Sequence, residues 1–426
     1  MRSRRLPGWL ISFAVAVLVL AGGRAVAQPG ASLQAGDLVA VCGDYITDSR
    51  IYSVYIADYL LMCQPQPNLR CLQSGMWEAA DGFLQRMGQD VLPFHPTVAT
   101  LSYGIIDGGG GALDQGAATR YRTALSGIVR QLHEKGVRLV VVGSPGCVDS
   151  ETYHSDPKQA EVFNTTLSAL RDIGRDLAQG QKAVFADVFD IMMDTMEKAK
   201  AKYGRPYMFV GWDGQSPTQN GSLVMAYAFL KALGCDGNIG TITLDLASNQ
   251  ATATDGHKIL SCSNGVIQVE STKYPFCFFG DPFRSDSTSG IVEFFAFNKD
   301  LNRLMLVGQN AQPAVRYRVT WGGAYKVFKG SDLAKGVNLA AEFLNNPFCG
   351  QFQAVERQIH VQQDYESNAK TLLHSLPSYR DALPDEVESI DRMQDKLLAR
   401  DATFAKASSA AVLPVKHTIV VEAVGQ

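Results

Sequence analysis

Between residues 36 and 234 the chain alternates short, nearly continuous apolar runs with longer helical patterns, and this alternation limits the possible folds more than any other feature. The apolar runs are 38–43, 97–103, 138–143 and 183–187, rich in Val, Leu, Ala or Phe. A strand that is apolar at almost every position needs cover on both faces, the situation of strands in a parallel sheet. The helical patterns between them, at about 49–61, 116–135, 157–178 and 189–202, supply that cover, and Gly136 and Gly204 stop two of them. A last helix covers about 219–233 and ends at Gly234. The pattern predicts an α/β fold, a three-layer parallel-sheet domain with right-handed crossovers.

After Gly234 the texture changes. Residues 240–330 are rich in Thr, Val, Phe and Gly in short alternating runs: 241–244, 265–269, 291–297, 303–307 and 317–321. These predict a β-rich, antiparallel, sandwich-like second domain over 235–426. Residues 331–410 turn charged and helical, with helices expected at 332–344, 353–376 and 384–410, broken at Ser375-Leu376-Pro377 and at Leu383-Pro384. The run His417 to Ala423 reads as a strand that returns to the β layer, which makes about 331–410 a helical insertion in the second domain.

The first residues read as an export signal: Arg2, Arg4 and Arg5, an apolar stretch from Trp9 to Leu20, and Ala25-Val26-Ala27 before Gln28. A signal peptide over 1–27, cut after Ala27, implies a secreted or periplasmic protein with no stable membrane span. The 426 residues carry a net charge of −3, which gives no reason to expect nucleic acid or an anionic membrane as partner. Export permits disulfides, and Cys63 and Cys71, bracketing the Pro-rich loop Gln64 to Arg70, are the expected pair. Cys42, inside an apolar strand, reads as a small buried hydrophobe. The eight cysteines show no C-x-x-C spacing, so no metal site is expected. Gly108 to Gly111 lacks a following P-loop lysine and reads as a flexible loop, and no cofactor is expected.

Three motifs fall in order along the first domain. Leu38 to Cys42 leads into Gly43-Asp44-Tyr45-Ile46-Thr47; Thr97 to Tyr103 leads into Gly104-Ile105-Ile106-Asp107-Gly108; and Gly211-Trp212-Asp213-Gly214-Gln215-Ser216-Pro217 precedes the last helix. Ligands of open parallel sheets bind outside the carboxyl ends of the strands. Topology alone therefore brings Gly43–Thr47, Gly104–Asp107 and Ser144–Cys147 to one crevice. The three motifs resemble those of the SGNH/GDSL hydrolase (esterase) family, which read GDSIT, GxND and DGxHP. There they supply a serine nucleophile, an oxyanion-hole asparagine and an Asp-x-x-His pair. The resemblance covers about residues 36–234 and implies the esterase fold. It also implies a degenerate member: the serine position is Tyr45, the asparagine position Ile106 and the histidine position Ser216, with Asp213 retained.

Each replacement removes a chemical capacity. A phenol of ordinary pKa near 10 is a poor nucleophile at neutral pH, so Tyr45 reads as a ring lining or plugging the crevice. Serine cannot cycle a proton as imidazole does. Ile106 has no donor for a developing oxyanion, and losing one such donor costs about 100- to 1,000-fold in rate. His154, after the run 138–143, is the one histidine expected on the crevice side; His95 and His133 precede strands and belong at the opposite end. The glycine of the family's remaining block falls on Gly75, or else on Trp77. With nucleophile, base and oxyanion donor lost together, the leading reading is an impaired or inactive esterase homologue. Its crevice, with Asp44, Asp107, Asp213, Trp77 and Tyr45 as candidate lining, would hold a glycan or an acylated small molecule. The plainer reading of Asp44 and Asp107 is helix or turn capping. Two alternatives stand beside it: an active carbohydrate esterase with a displaced catalytic set, and a structural or envelope-assembly protein with a vestigial crevice.

Overall fold

The computed structural model describes residues 32–424; the signal segment read at 1–27 lies outside the described residues. The first half contains β1 (Leu38–Gly43), α1 (Tyr45–Asp48), α2 (Tyr52–Asp58), β2 (Arg70–Gly75), α3 (Ala80–Asp90), β3 (Val98–Ser102), α4 (Gln115–Glu134), β4 (Leu139–Gly143), α5 (Pro157–Gly180), β5 (Val184–Ala186), α6 (Val188–Tyr203) and α7 (Gln219–Ala232). Its five strands form one parallel sheet in the order β2-β1-β3-β4-β5. In register, Gly75, Gly43, Ser102, Gly143 and Ala186 form a single row, so five strands end level at one edge. Alternate strand residues face opposite cores, as strand geometry requires. Val39, Val41, Val98 and Val141 pack towards α2, α6 and α7, while Ala40, Cys42, Leu101 and Val142 pack towards α3 and α4.

The second half contains β6 (Asn238–Asp245), β7 (Gln250–Ala253), β8 (His257–Ser263), β9 (Val266–Ser271), α8 (Phe297–Asp300), β10 (Arg303–Gln309), β11 (Arg316–Trp321), β12 (Ala324–Lys329), α9 (Gly330–Lys335), β13 (Val337–Asn338), α10 (Leu339–Glu342), α11 (Cys349–Ala382), α12 (Val387–Ala410) and β14 (Val415–Val424). Two sheets form here, β13-β10-β6-β7 and β12-β11-β14-β9-β8. The chain's last strand, β14, lies in the middle of the second sheet, between β11 and β9. The first sheet is mixed rather than antiparallel, because β6 and β10 run parallel. Residues 291–297, expected as a strand, are turns leading into α8; their Phe-rich run packs Phe295 and Phe297 against Tyr227 of α7 instead of a pleated neighbour. Pro377 does not end α11, which runs through it. Leu373 and Leu376 are buried against Ile390 of α12 and hold the helix across the missing hydrogen bond.

The helical pair α11–α12 belongs structurally to both halves. β2 is an edge strand, and its outward backbone groups need partners. Gln362 Nε2 donates to the Cys71 carbonyl at 3.0 Å, the Gln73 amide donates to Glu366 Oε2 at 2.8 Å, and Lys370 Nζ donates to the Gly75 carbonyl. Four residues of helix rise about 6.0 Å and two residues of strand about 6.6 Å. Side chains four apart on α11 therefore keep step with every second residue of β2. The hydrophobic core is likewise continuous, running from α2, α6 and α7 into Ile242, Ile267, Trp321 and Val421 of the two β-rich sheets.

Candidate functional site

The level strand ends mark the edge at which the sequence places the crevice. Gly43 is required there, since a Cβ at that position would lie 2.0 Å from Thr47 Oγ1 and 2.6 Å from the Ser102 carbonyl. The chain turns directly into α1, whose N-cap is Asp44: its Oδ1 accepts from the Ile46 amide at 2.9 Å. Burial, opposed by that hydrogen bond and helped by the nearby Asp107 charge, pushes the Asp44 carboxyl up to about 8. Asp107 lies at the end of the β3 turn. Its Oδ1 accepts from the amide of Ala80, the first residue of α3, at 3.1 Å, and its Oδ2 is buried without a hydrogen-bond partner. Burial raises this carboxyl to about 6. Asp44 therefore caps α1, and Asp107 bonds the first amide of α3 from a neighbouring turn.

Tyr45 is the first residue of α1. Its ring stacks on Trp77 with centroids 4.6 Å apart, and its hydroxyl is buried without a hydrogen-bond partner. Burial first, and then the Asp44 carboxyl, push the phenol well above its ordinary value, while Ser216 pulls weakly the other way. Ser216 and Asp213 are thus neighbours of the phenol. Within their own loop, Asp213 Oδ1 accepts from the amides of Gln215 and Ser216 at 3.1 and 3.0 Å, and Ser216 Oγ donates to Asp213 Oδ2 at 2.6 Å. Burial works against the Asp213 charge, but these three donors outweigh it and hold the carboxylate below its usual range. Gly214 has φ +71°, and a Cβ there would fall 2.3 Å from the Tyr153 amide; the Asp149 amide donates to the Gly214 carbonyl at 2.8 Å. These contacts seat the 211–217 loop on the loop after β4.

Ile106 is half-buried and packs on the apolar core. Gly75 closes β2 with no room for a side chain: a Cβ there would fall 2.2 Å from the Asp48 amide. Trp77 and Trp212 are 75% and 85% exposed. His154 is exposed, has φ +50°, and sets its ring edge-on to Tyr153 at 4.4 Å. Among the described residues, hydrogen bonds between histidine and serine occur only at Ser271, in the β-rich half. Cavities of about 440, 390 and 240 Å³ are lined by residues other than Tyr45, Ile106 and Ser216.

Two partners of the site carry no signature that the motifs reveal. Arg86, 1% exposed, binds Glu78, Asp90 and the Ser74 carbonyl, which braces the segment carrying Trp77. Lys370 reaches Gly75 and also Asp48 Oδ1 at 3.0 Å. The Arg86–Asp90 spacing of four within one helix pattern is a signal that could have found the first; Lys370 lies 295 residues from Gly75 and gives none. The expected Cys63–Cys71 bond is absent: both thiols are free. Cys63 closes the π-helical turn after α2, and Cys71 is held on β2 in register with Val39.

Residues 68–207 match the GDSL-like Lipase/Acylhydrolase family. The match lies inside the α/β domain and supports the SGNH/GDSL resemblance read from its motifs. The matched span includes Gly104–Asp107 and stops short of Gly43–Thr47 and Gly211–Pro217. No curated protein sequence matches the chain. Among solved structures, it is similar to a gut microbial diltiazem-metabolizing enzyme, with 18% identity and a TM-score of 0.69 over 93% of this chain and 100% of that one. At that identity the likeness is one of fold, and it extends across the β-rich half. The chain is also similar to Axe2, an acetylxylan esterase from Geobacillus stearothermophilus (17% identity, TM-score 0.38, 47% of this chain and 95% of that one). A third likeness is to LAE5, an alpha/beta hydrolase enzyme from the metagenome of Lake Arreo, Spain (21%, 0.38, 48% and 97%).

Proposed function

We propose that this is an exported SGNH/GDSL-fold protein that has lost ordinary esterase turnover and uses its crevice to hold a glycan or an acylated small molecule. The observation that carries the reading is Tyr45. It stands where the resemblance puts the nucleophile, and its phenol is pushed away from ionisation rather than towards it. Activated nucleophiles show the reverse: a lowered pKa or a neighbouring base. Ser216, in the histidine's place, gives its hydroxyl hydrogen to Asp213 and so offers no base to Tyr45. Binding is favoured by two exposed indoles, Trp77, stacked on Tyr45, and Trp212, beside Asp213 in the chain. Aromatic faces with hydrogen-bond acceptors suit sugar rings and hydroxyls. Export rests on the Arg-rich, apolar and Ala-x-Ala segments of residues 2–27.

A second reading, an active acyl hydrolase with a displaced catalytic set, draws on the whole-chain likeness to a structure described as an enzyme. One assay separates the two. The purified mature protein is expected to hydrolyse p-nitrophenyl acetate no faster than a matched-protein background. Turnover that a serine-directed phosphonate titrates stoichiometrically would establish the second reading and remove the first.

A further inference from the structure

Cys277 lies in the segment between β9 and α8, and Cys349 is the first residue of α11. They are far apart in sequence but meet around Asn346. The Cys277 thiol donates to Asn346 Oδ1 at 3.8 Å, and the Asn346 amide donates to Cys349 Sγ at 3.4 Å. The turn that holds them is itself fixed: Asn346 Nδ2 donates to the Phe343 carbonyl at 3.2 Å, and Oδ1 accepts from the Phe348 amide at 3.0 Å. Cys277 is fully buried but lines the cavity of about 240 Å³ together with Phe276, Tyr55, Gln353 and Glu356. Cys349 is partly exposed.

The two sulfurs are also chemically unequal. The interaction with Cys277 draws the Cys349 thiol down to about 7, whereas burial and then Cys349 push Cys277 well up. Amides of a helix's first turn favour a thiolate at that position as well. Cys349 is thus the sulfur suited to attack, and Cys277 the one placed to resolve.

We infer that Cys277 and Cys349 close to a disulfide that ties the segment after β9 to the start of α11. The oxidant is a disulfide, small or protein-borne. The Cys349 thiolate attacks one of its sulfurs, forming a mixed disulfide and releasing a thiolate. Cys277 then gives up its proton to that thiolate or to water and attacks Cys349 Sγ, expelling the second thiol. The two cysteines lose two electrons and two protons in total, and the donor disulfide becomes two thiols. The proposal goes beyond the hydrolase reading and does not depend on it, because nothing in the crevice takes part.

The test uses the purified full mature chain, reduced, desalted and then exposed to oxidised glutathione. Remaining thiols are blocked with N-ethylmaleimide in denaturant, and tryptic peptides are mapped without reduction. The expected result is a crosslinked Cys277–Cys349 peptide pair, accumulating at least about tenfold faster than any other pair, as expected for a pre-positioned low-pKa thiol. Cys277→Ser is expected to leave glutathione trapped on Cys349, and Cys349→Ser to leave Cys277 unmodified in the native state. A glutathione adduct on wild-type Cys349 that never resolves, or a dominant bond elsewhere such as Cys63–Cys71, would overturn the assignment. The wild-type map alone decides the matter if either variant fails to fold.

Discussion

In the α/β domain, Ser216 stands at the rim of a crevice with an acid beside it and no imidazole; in the β-rich half, Ser271 lies between two imidazoles where no substrate can reach it. Trp321 Nε1 donates to His417 Nδ1 at 3.1 Å, His417 Nε2 meets Ser271 Oγ at 3.0 Å, Ser271 Oγ meets His257 Nδ1 at 2.8 Å, and His257 Nε2 meets the Ile239 carbonyl at 3.0 Å. An indole can only donate and a carbonyl can only accept. The chain therefore has one direction, and both histidines are neutral with their protons on Nε2. The contrast separates chemistry from inventory. A serine–histidine hydrogen bond with both ends committed and no opening is a structural strut, and an accessible serine whose hydrogen is held by a carboxylate is a capping group. Catalysis needs the pair and the opening in one place.

The two regions also answer pH with opposite signs. Asp44 and Asp107 are raised on folding, to about 8 and about 6. Their contribution is complete below the unfolded carboxylate value and is lost as pH rises through those figures. His417 is depressed to about 4, chiefly by burial and secondarily by His257. Its contribution is complete above the unfolded histidine value near 6.5 and is lost as pH falls through about 4.

The strongest test of the comparison is Ser271→Ala, which strands one ring nitrogen on each histidine. Two buried unpaired groups cost about 2–5 kcal/mol together, so urea unfolding is expected to show a loss of that size with an unchanged denaturant slope. A loss below about 0.5 kcal/mol would mean that the hydrogen-bond chain does not hold the sheet. Next in size is acidification. From pH 6.5 to 4 the β9 and β14 amides are expected to lose about 3 kcal/mol of exchange protection, the size of the His417 shift, while the ends of β1 and β3 hold or gain. Equal losses in both regions would abolish the distinction. The smallest effect belongs to Tyr45→Ser, expected to leave p-nitrophenyl acetate hydrolysis at background, because triad members act as a unit. The triple change Tyr45→Ser, Ile106→Asn, Ser216→His is expected to raise it measurably. Restoration by the single change would show that a base is already present.

Much of this architecture is legible in the residues alone. β1, β3, β4 and β5 carry apolar residues at nearly every position because both faces are covered, a pattern that a strand with one wet face could not carry. The return of β14 is legible for a similar reason: a late alternating run needs a sheet to join. β2 is hidden because it is an edge strand of sequence Arg-Cys-Leu-Gln-Ser-Gly, half polar, whose partners are helix side chains. Pro377 misleads because buried Leu373 and Leu376 override its local breaker chemistry. The order of the crevice motifs and their arrival at the strand ends follow from topology. The stacking of Tyr45 on Trp77 does not, since side-chain facing within a crevice depends on loops whose paths no periodicity encodes.

The clamp of α11 on β2 sets a timetable for biosynthesis. The carbonyl of Gly75 is made 295 residues before the lysine that covers it. At about 5–20 residues per second, that leaves the sheet's border strand open for about 15–60 s in each new molecule. During that interval the border is a template on which a second nascent chain can pair. Keeping the chain unfolded or shielded until its carboxy-terminal helices exist would prevent that pairing. Residues 36–234, which look like a self-sufficient unit on paper, are expected to come out of an expression host as aggregate when produced without the helices that follow.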